Sequence, residues 1–270
     1  MYQYPRSSRQ QREKANRRGG LILVGCATLI AMGGAAIAVT RAPPRDQITA
    51  CTQGVKPAMQ TYIVADRSDR WTDNQTSLLR AALAGIARNA AVDERLTLVP
   101  FDGFADRPPV PLFDKCKSAE TVTGFTMLFS TPARVEKAHQ ENFVKPLEAT
   151  LAAITKPSQA KETHLVAFLA NLAGAIQYEQ RATKTRIVLL SDLAENTPEL
   201  SVYAKARGQF TPEVFTKYFQ ETVRDRLSGI TLEILRLPPP GHSSDLEKRI
   251  IAAWKTALTS GGVEFSIRDF

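Results

Sequence analysis

The chain reads as a doubly wound α/β domain, a mostly parallel sheet between two helix layers, preceded by one transmembrane helix. Three observations carry that reading. Two unbroken strand-like runs, Tyr62-Ile63-Val64-Ala65 and Ile187-Val188-Leu189-Leu190, end in aspartates, Asp66 and Asp192. Runs without polar alternation belong to strands buried on both faces, as in parallel sheets. Strand and helix patterns alternate from residue 59 onward, which is the signature of crossover connections. Residues 21–40, LILVGCATLIAMGGAAIAVT, hold no charge. That is enough to span ~30 Å of hydrocarbon as one helix.

The first boundary comes from charge. Residues 1–20 carry Arg6, Arg9, Arg12, Lys14, Arg17 and Arg18 against Glu13, so most of the net charge of +8 lies in a short tail. A basic tail before an apolar span keeps the N-terminus in the cytoplasm and exports the remainder of the chain. Ala36-Ile37-Ala38 has the form of a cleavage site, but the apolar run exceeds the 7–15 residues of a signal core. Cys26 has only Leu21 to Gly25 as an apolar stretch before it, too short for a lipoprotein signal. The reading is a bacterial inner-membrane protein with a cytoplasmic tail (1–20), a single span (21–40), a linker (41–58) and a periplasmic domain (59–270). Charges in the exported part are mixed in sign, which excludes a nucleic-acid groove. Cys51 and Cys116 both fall there, where disulfides persist, and are predicted to form one bridge.

The strand at 61–65 leads into a helix opened by Thr72 and Gln75, which have capping-box spacing. That helix carries Leu78, Leu79, Ala82, Leu83 and Ile86 on one face and frays near Asn89. A strand is predicted over 95–103. PVPLFDKC comes next as an edge strand, since proline cannot donate to a central ladder. Residues 119–130 fit either a strand or an irregular insertion. Helix is expected over 132–155, broken or kinked at Pro146, and again over 163–180. After the strand at 187–190 come a helix at 212–227 and the strand ITLEILRL. Ser244 and Glu247 then suggest a second capping box, Gly261-Gly262 stops that helix, and VEFSIRDF forms the last strand. Ligands of such sheets bind beyond the carboxyl ends of the strands. Asp66 and Asp192 stand at two of them.

Asp66-Arg67-Ser68-Asp69-Arg70, Thr163 and Asp192 together resemble the von Willebrand factor A-like family over about residues 58–270. In that family an Asp-x-Ser-x-Ser motif, a threonine before a central helix and an aspartate after the fourth strand form a metal-ion-dependent adhesion site. The resemblance implies that Asp66, Ser68, Thr163 and Asp192 hold Mg²⁺ or Mn²⁺, hard ions that take oxygen ligands. It also implies protein binding at that edge. Arg70 replaces the second serine, and Leu193 stands where the family has glycine. Arg70 either points away or pairs with Asp66 or Asp192 in place of the metal. Trp71 either packs beneath the loop or serves, with Arg70, as a partner contact.

The expected function is therefore a non-enzymatic, membrane-anchored module that binds protein partners in the envelope. The alternative is a metal-dependent extracytoplasmic phosphoesterase. No Gly-x-Ser-x-Gly elbow, phosphate loop or dinucleotide fingerprint supports catalysis. The histidines are only His139, His164 and His242.

Overall fold

The computed structural model describes Thr28 and residues 44–107, 109–121, 130–156, 158, 160–203 and 210–269. The basic tail, the apolar span apart from Thr28 and most of the ambiguous stretch at 119–130 lie outside these residues. No helix among the described residues is long and apolar enough to cross a membrane.

The strands are β1 (Met59–Asp66), β2 (Arg95–Phe101), β3 (Phe113–Cys116), β4 (Lys184–Ser191), β5 (Ile230–Arg236) and β6 (Phe265–Asp269). They form one sheet in the order β3-β2-β1-β4-β5-β6, parallel except for β3. The helices are α1 (Asp73–Asn89), α2 (Pro132–His139), α3 (Lys145–Ile154), α4 (Leu165–Glu179), α5 (Pro212–Val223) and α6 (Ser244–Ser260). This is a Rossmann-like α/β fold, and its element order matches the sequence reading.

Strand alternation divides the core in two. Tyr62, Val64, Val99, Phe101, Ile187, Leu189, Leu232 and Ile234 pack with α4, α5 and α6, where Phe215, Phe219 and Trp254 are fully buried. Ile63, Ala65, Leu96, Leu98, Val188, Leu190 and Leu235 point the other way, against α1 and the α2–α3 segment. The two central strands are thus covered on both sides, as their unbroken apolar runs require.

Several boundaries differ from the sequence reading. The proline-marked strand is only Phe113–Cys116, because Pro109 and Pro111 cannot donate to β2. Pro146 does not break the helix at its own position. A π-helical turn over Gln140–Val144 precedes it, and Lys145 N–H reaches back to the Gln140 carbonyl. The widened turn absorbs the donor that proline lacks. The Thr72–Gln75 capping box is present on both sides. The second box is not: Ser243 caps α6 by accepting from Leu246 N–H, and Ser244 is the first helical residue. Glu247 is drawn instead to Arg236 and His242.

The segment after Pro44 is tied to the sheet edge. Asp46 Oδ1 accepts from Ile48 N, Thr49 N and Thr49 Oγ1, closing a turn. Cys116 N donates to the Thr49 carbonyl at 2.7 Å, and Cys51 and Cys116 are joined by the predicted disulfide.

α4 is capped from a distance. His164, its N-cap residue, makes no side-chain cap bond. Glu195, fully buried in the loop after β4, accepts from Val166 N–H at 3.0 Å and from the Tyr218 hydroxyl at 3.1 Å. Burial outweighs these donors and pushes the Glu195 carboxyl up to about 8.

The bridge and the buried cap both have measurable consequences. Sixty-five positions separate the bridged cysteines, so replacing both with serine lowers unfolding free energy by about 4 kcal/mol through loop-closure entropy. Denaturant titration measures that loss, and an unchanged midpoint argues against the bridge. For Glu195 the folded pKa lies above the ordinary value of 4.5, so the native state binds the extra proton between about 4.5 and 8. Stability therefore falls as pH rises through that window. Glu195→Gln, which mimics the protonated form, is expected to flatten the dependence of Tm on pH and to raise Tm at pH 8.

Candidate functional site

The strand order places the site. From β1 the chain builds outward to β2 and β3 on one side, and from β4 to β5 and β6 on the other. β1 and β4 are adjacent and parallel, with Ala65 opposite Leu190. Their carboxyl ends therefore flank the switch point where such sheets open a crevice.

At the end of β1, Asp66 is buried and held by three donors. Ser68 N–H (3.0 Å) and Ser68 Oγ (2.7 Å) reach Oδ1, while Ser191 Oγ donates to Oδ2 at 2.6 Å. The serine that ends β4 is thus fastened to the aspartate that ends β1. Arg67 turns aside to pair with Asp102 and to donate to the Ala153 carbonyl at 2.8 Å. At the end of β4, Asp192 Oδ1 accepts from Ala194 N–H at 2.9 Å. Leu193 sits at φ +68°, a left-handed conformation that a side chain resists. It persists because Leu193 is fully buried, its N–H donates to Ser191 Oγ at 2.9 Å and its carbonyl accepts from Trp254 Nε1 at 3.0 Å.

One cleft gathers Asp66, Ser68 and Asp192 with Ser191, Asp69, Arg70, Trp71, Gln75, Leu237 and Pro239. Trp71 packs on the α1-side core, one of the two uses foreseen for it, and also lines the cleft. Gln75 secures the rim by donating to the Leu237 carbonyl at 3.1 Å. Arg70 is exposed, and no ion pair joins it to Asp66 or Asp192; of the two orientations foreseen, it does not replace a metal.

Thr163 does not line this cleft. Its N–H and carbonyl are paired with Asn196 at 2.8 and 3.0 Å, so the loop after β4 closes over the start of α4. His164 is bonded to Glu162 at 2.9 Å. Ser191 and Gln75 were missed as cleft residues, whereas Asp69 was foreseen only as a metal ligand of the phosphoesterase alternative. Ser191 adjoins Asp192 in sequence, and that adjacency was the available signal.

The cleft is short of positive charge. Burial raises the Asp66 carboxyl above its ordinary range despite the donors from Ser191 and Ser68, and Asp69 adds repulsion. Asp192 is pushed up to about 7, first by burial and then by Asp66. The Tyr203 hydroxyl is raised by burial and then by the charges of Asp192, Asp69 and Asp66. Among the described residues no three His, Cys, Asp or Glu side chains are arranged as a metal site. A divalent ion here would depend on hydroxyl oxygens as well. Asp66, Asp192, Ser68 and Ser191 form such a hard-oxygen set, and two mutually repelling carboxylates fit a cation between them.

No protein-family profile matches the sequence, and no curated protein matches it significantly. Solved structures show distant likeness. An aerotolerance-related membrane protein from Bacteroides fragilis is 12% identical, with 78% of this chain and 92% of that one covered at a TM-score of 0.37. BatB, a conserved hypothetical protein from Bacteroides thetaiotaomicron, is 11% identical, with coverage of 78% and 89% and a TM-score of 0.36. The pilus adhesin SpaC of Lactobacillus rhamnosus GG is 13% identical over 81% of this chain but 28% of its own, at a TM-score of 0.43.

Proposed function

We propose that this chain is a single-pass, membrane-anchored, extracytoplasmic recognition module of von Willebrand A-like type. Its cleft at the ends of β1 and β4 binds a protein partner in the envelope. The observation that carries the reading is the pair Asp66 and Asp192, both lining the cleft at the switch point. No ion pair reaches either carboxylate among the described residues, and burial outweighs the distant pull of Arg236 on Asp192. Bound Mg²⁺ or Mn²⁺ would neutralise that pair and offer an open coordination position to a partner's carboxylate. Asp66, Asp192 and Ser68 would hold it, with Ser191 orienting Asp66 through the existing 2.6 Å bond. Arg70 and Trp71, at the rim, would touch the partner.

The site is tested with the ion alone. A hundredfold excess over Kd stabilises the native state by about 2.7 kcal/mol if the unfolded chain does not bind. Thermal unfolding with and without Mn²⁺ should show that gain in wild type and not in Asp192→Ala. Arg70→Ser, at an exposed and unpaired position, should leave ion-free stability within about 0.5 kcal/mol and tighten ion binding. An ion effect that survives Asp192→Ala would refute the site.

The anchor is tested separately. A reporter active only outside the cytoplasm, fused after Phe270, should be active while the protein stays in the membrane fraction. A soluble product, or a silent fusion that is stably produced, would overturn that topology.

A further inference from the structure

The sheet has two edges, and they are treated differently. β3 is closed off: Cys116 N donates to the Thr49 carbonyl, the disulfide crosses there, and Lys115 Nζ reaches the Ile48 carbonyl at 2.6 Å. β6 is open. No described residue bonds to its outer backbone, and Ser266, Arg268 and Asp269 are exposed. An unprotected edge is a template for another strand.

The phase of that template is fixed. Leu232 N donates to the Glu264 carbonyl at 2.8 Å, with Leu232 opposite Phe265. The backbone groups of Glu264, Ser266 and Arg268 therefore face β5, and those of Phe265, Ile267 and Asp269 face outward. In an antiparallel pairing the outward residues exchange hydrogen bonds, and the others form the close, non-bonded pairs.

We infer that β6 is a self-association edge, on which a second copy of this chain pairs antiparallel about Ser266. The sequence Glu264-Phe265-Ser266-Ile267-Arg268 is complementary to its own reverse. About Ser266, Glu264 meets Arg268 of the second copy, Phe265 meets Ile267, and Ser266 meets Ser266. Opposite charges directly across a pair stabilise it, as do apolar pairs. Phe265 and Ile267 are only partly buried against the α4–α6 core, which leaves apolar surface for the copy. Centring the pair on Ile267 instead sets Phe265 against Asp269 and leaves Arg268 facing serine. Centring it on Phe265 sets Arg268 against Gly262 and Glu264 against Ser266, so neither charge meets its opposite. The contact is isologous, so it closes at a dimer. It rests on the edge geometry alone and is independent of the cleft.

The test is cross-linking of the full chain in detergent, in a Cys26→Ser background. In close antiparallel pairs the Cα atoms lie about 4.5 Å apart, within disulfide range. Ser266→Cys should therefore give a dimer band under mild oxidation, whereas Lys255→Cys, exposed on α6, should not. Arg268→Glu and Glu264→Arg, each added to Ser266→Cys, should lose the band, and the double swap should restore it. Arg268 also pairs with Glu233, so Glu264→Arg provides the change that leaves that pair intact. A monomeric Ser266→Cys, or a band indifferent to both single charge reversals, overturns the proposal.

Discussion

The constraint on which the structure depends is that β1 and β4 are adjacent and buried on both faces. Gln60, Thr61 and Arg186 make polar contacts near the amino ends of these strands. Along the apolar runs that follow, neither strand has a side free for polar chemistry, so a site toward the carboxyl edge can begin only where those runs end. Ile63, Val64 and Ala65 are wholly inaccessible, as are Val188, Leu189 and Leu190. The next residues on each strand, Asp66 and the pair Ser191-Asp192, are the first free to be polar. Because the two strands run parallel in register, their ends meet. The Ser191–Asp66 hydrogen bond is the local expression of that alignment, and the cleft forms around it.

The cleft carries internal tension. Two carboxylates share a partly desolvated space, and the residue after the second holds a left-handed backbone that its side chain resists. Such features persist only where surrounding packing over-determines them. Here the over-determination is visible. Trp254, fully buried on α6, fixes the Leu193 carbonyl, and Leu193 itself sits in the core. Arg236, the cation nearest in sequence to the Leu237 rim, is already engaged by Glu247 and Asp269. It therefore forms no ion pair with Asp192 and acts on that carboxyl only through space, too weakly to offset burial.

Much of this was legible in the sequence, and the rest was not, for definable reasons. Apolar runs closed by aspartate revealed the central strands and two cleft residues, because burial dictates both. Thr72 and Gln75 revealed a helix start, because that cap is local. Ser243 was passed over for Ser244 because adjacent serines offer the same chemistry, and Glu247 turned to tertiary partners. The π-turn was hidden because Pro146 marks a missing donor without saying where the helix will widen. Thr163 and Glu195 were illegible for a deeper reason. The loop after β4 folds across the start of α4, so Asn196 takes the threonine's backbone and Glu195 supplies the helix cap. Such pairings between distant loops leave no periodic trace.

The Cys51–Cys116 bridge also sets the path of mechanical load. Tension drawn on the chain before residue 51 divides at the sulfur pair, one branch entering β1 at Met59 and the other entering β3 at Cys116. Cys116 lies opposite Arg95, the start of β2, so both branches reach the same end of the sheet. The cleft lies at the other end. Anything gripping the protein at Asp66 would pull along β1 against a tether at its opposite terminus. β1 is bonded on both sides, to β2 and β4, so its ladders would be loaded in shear, many hydrogen bonds at once, not unzipped singly.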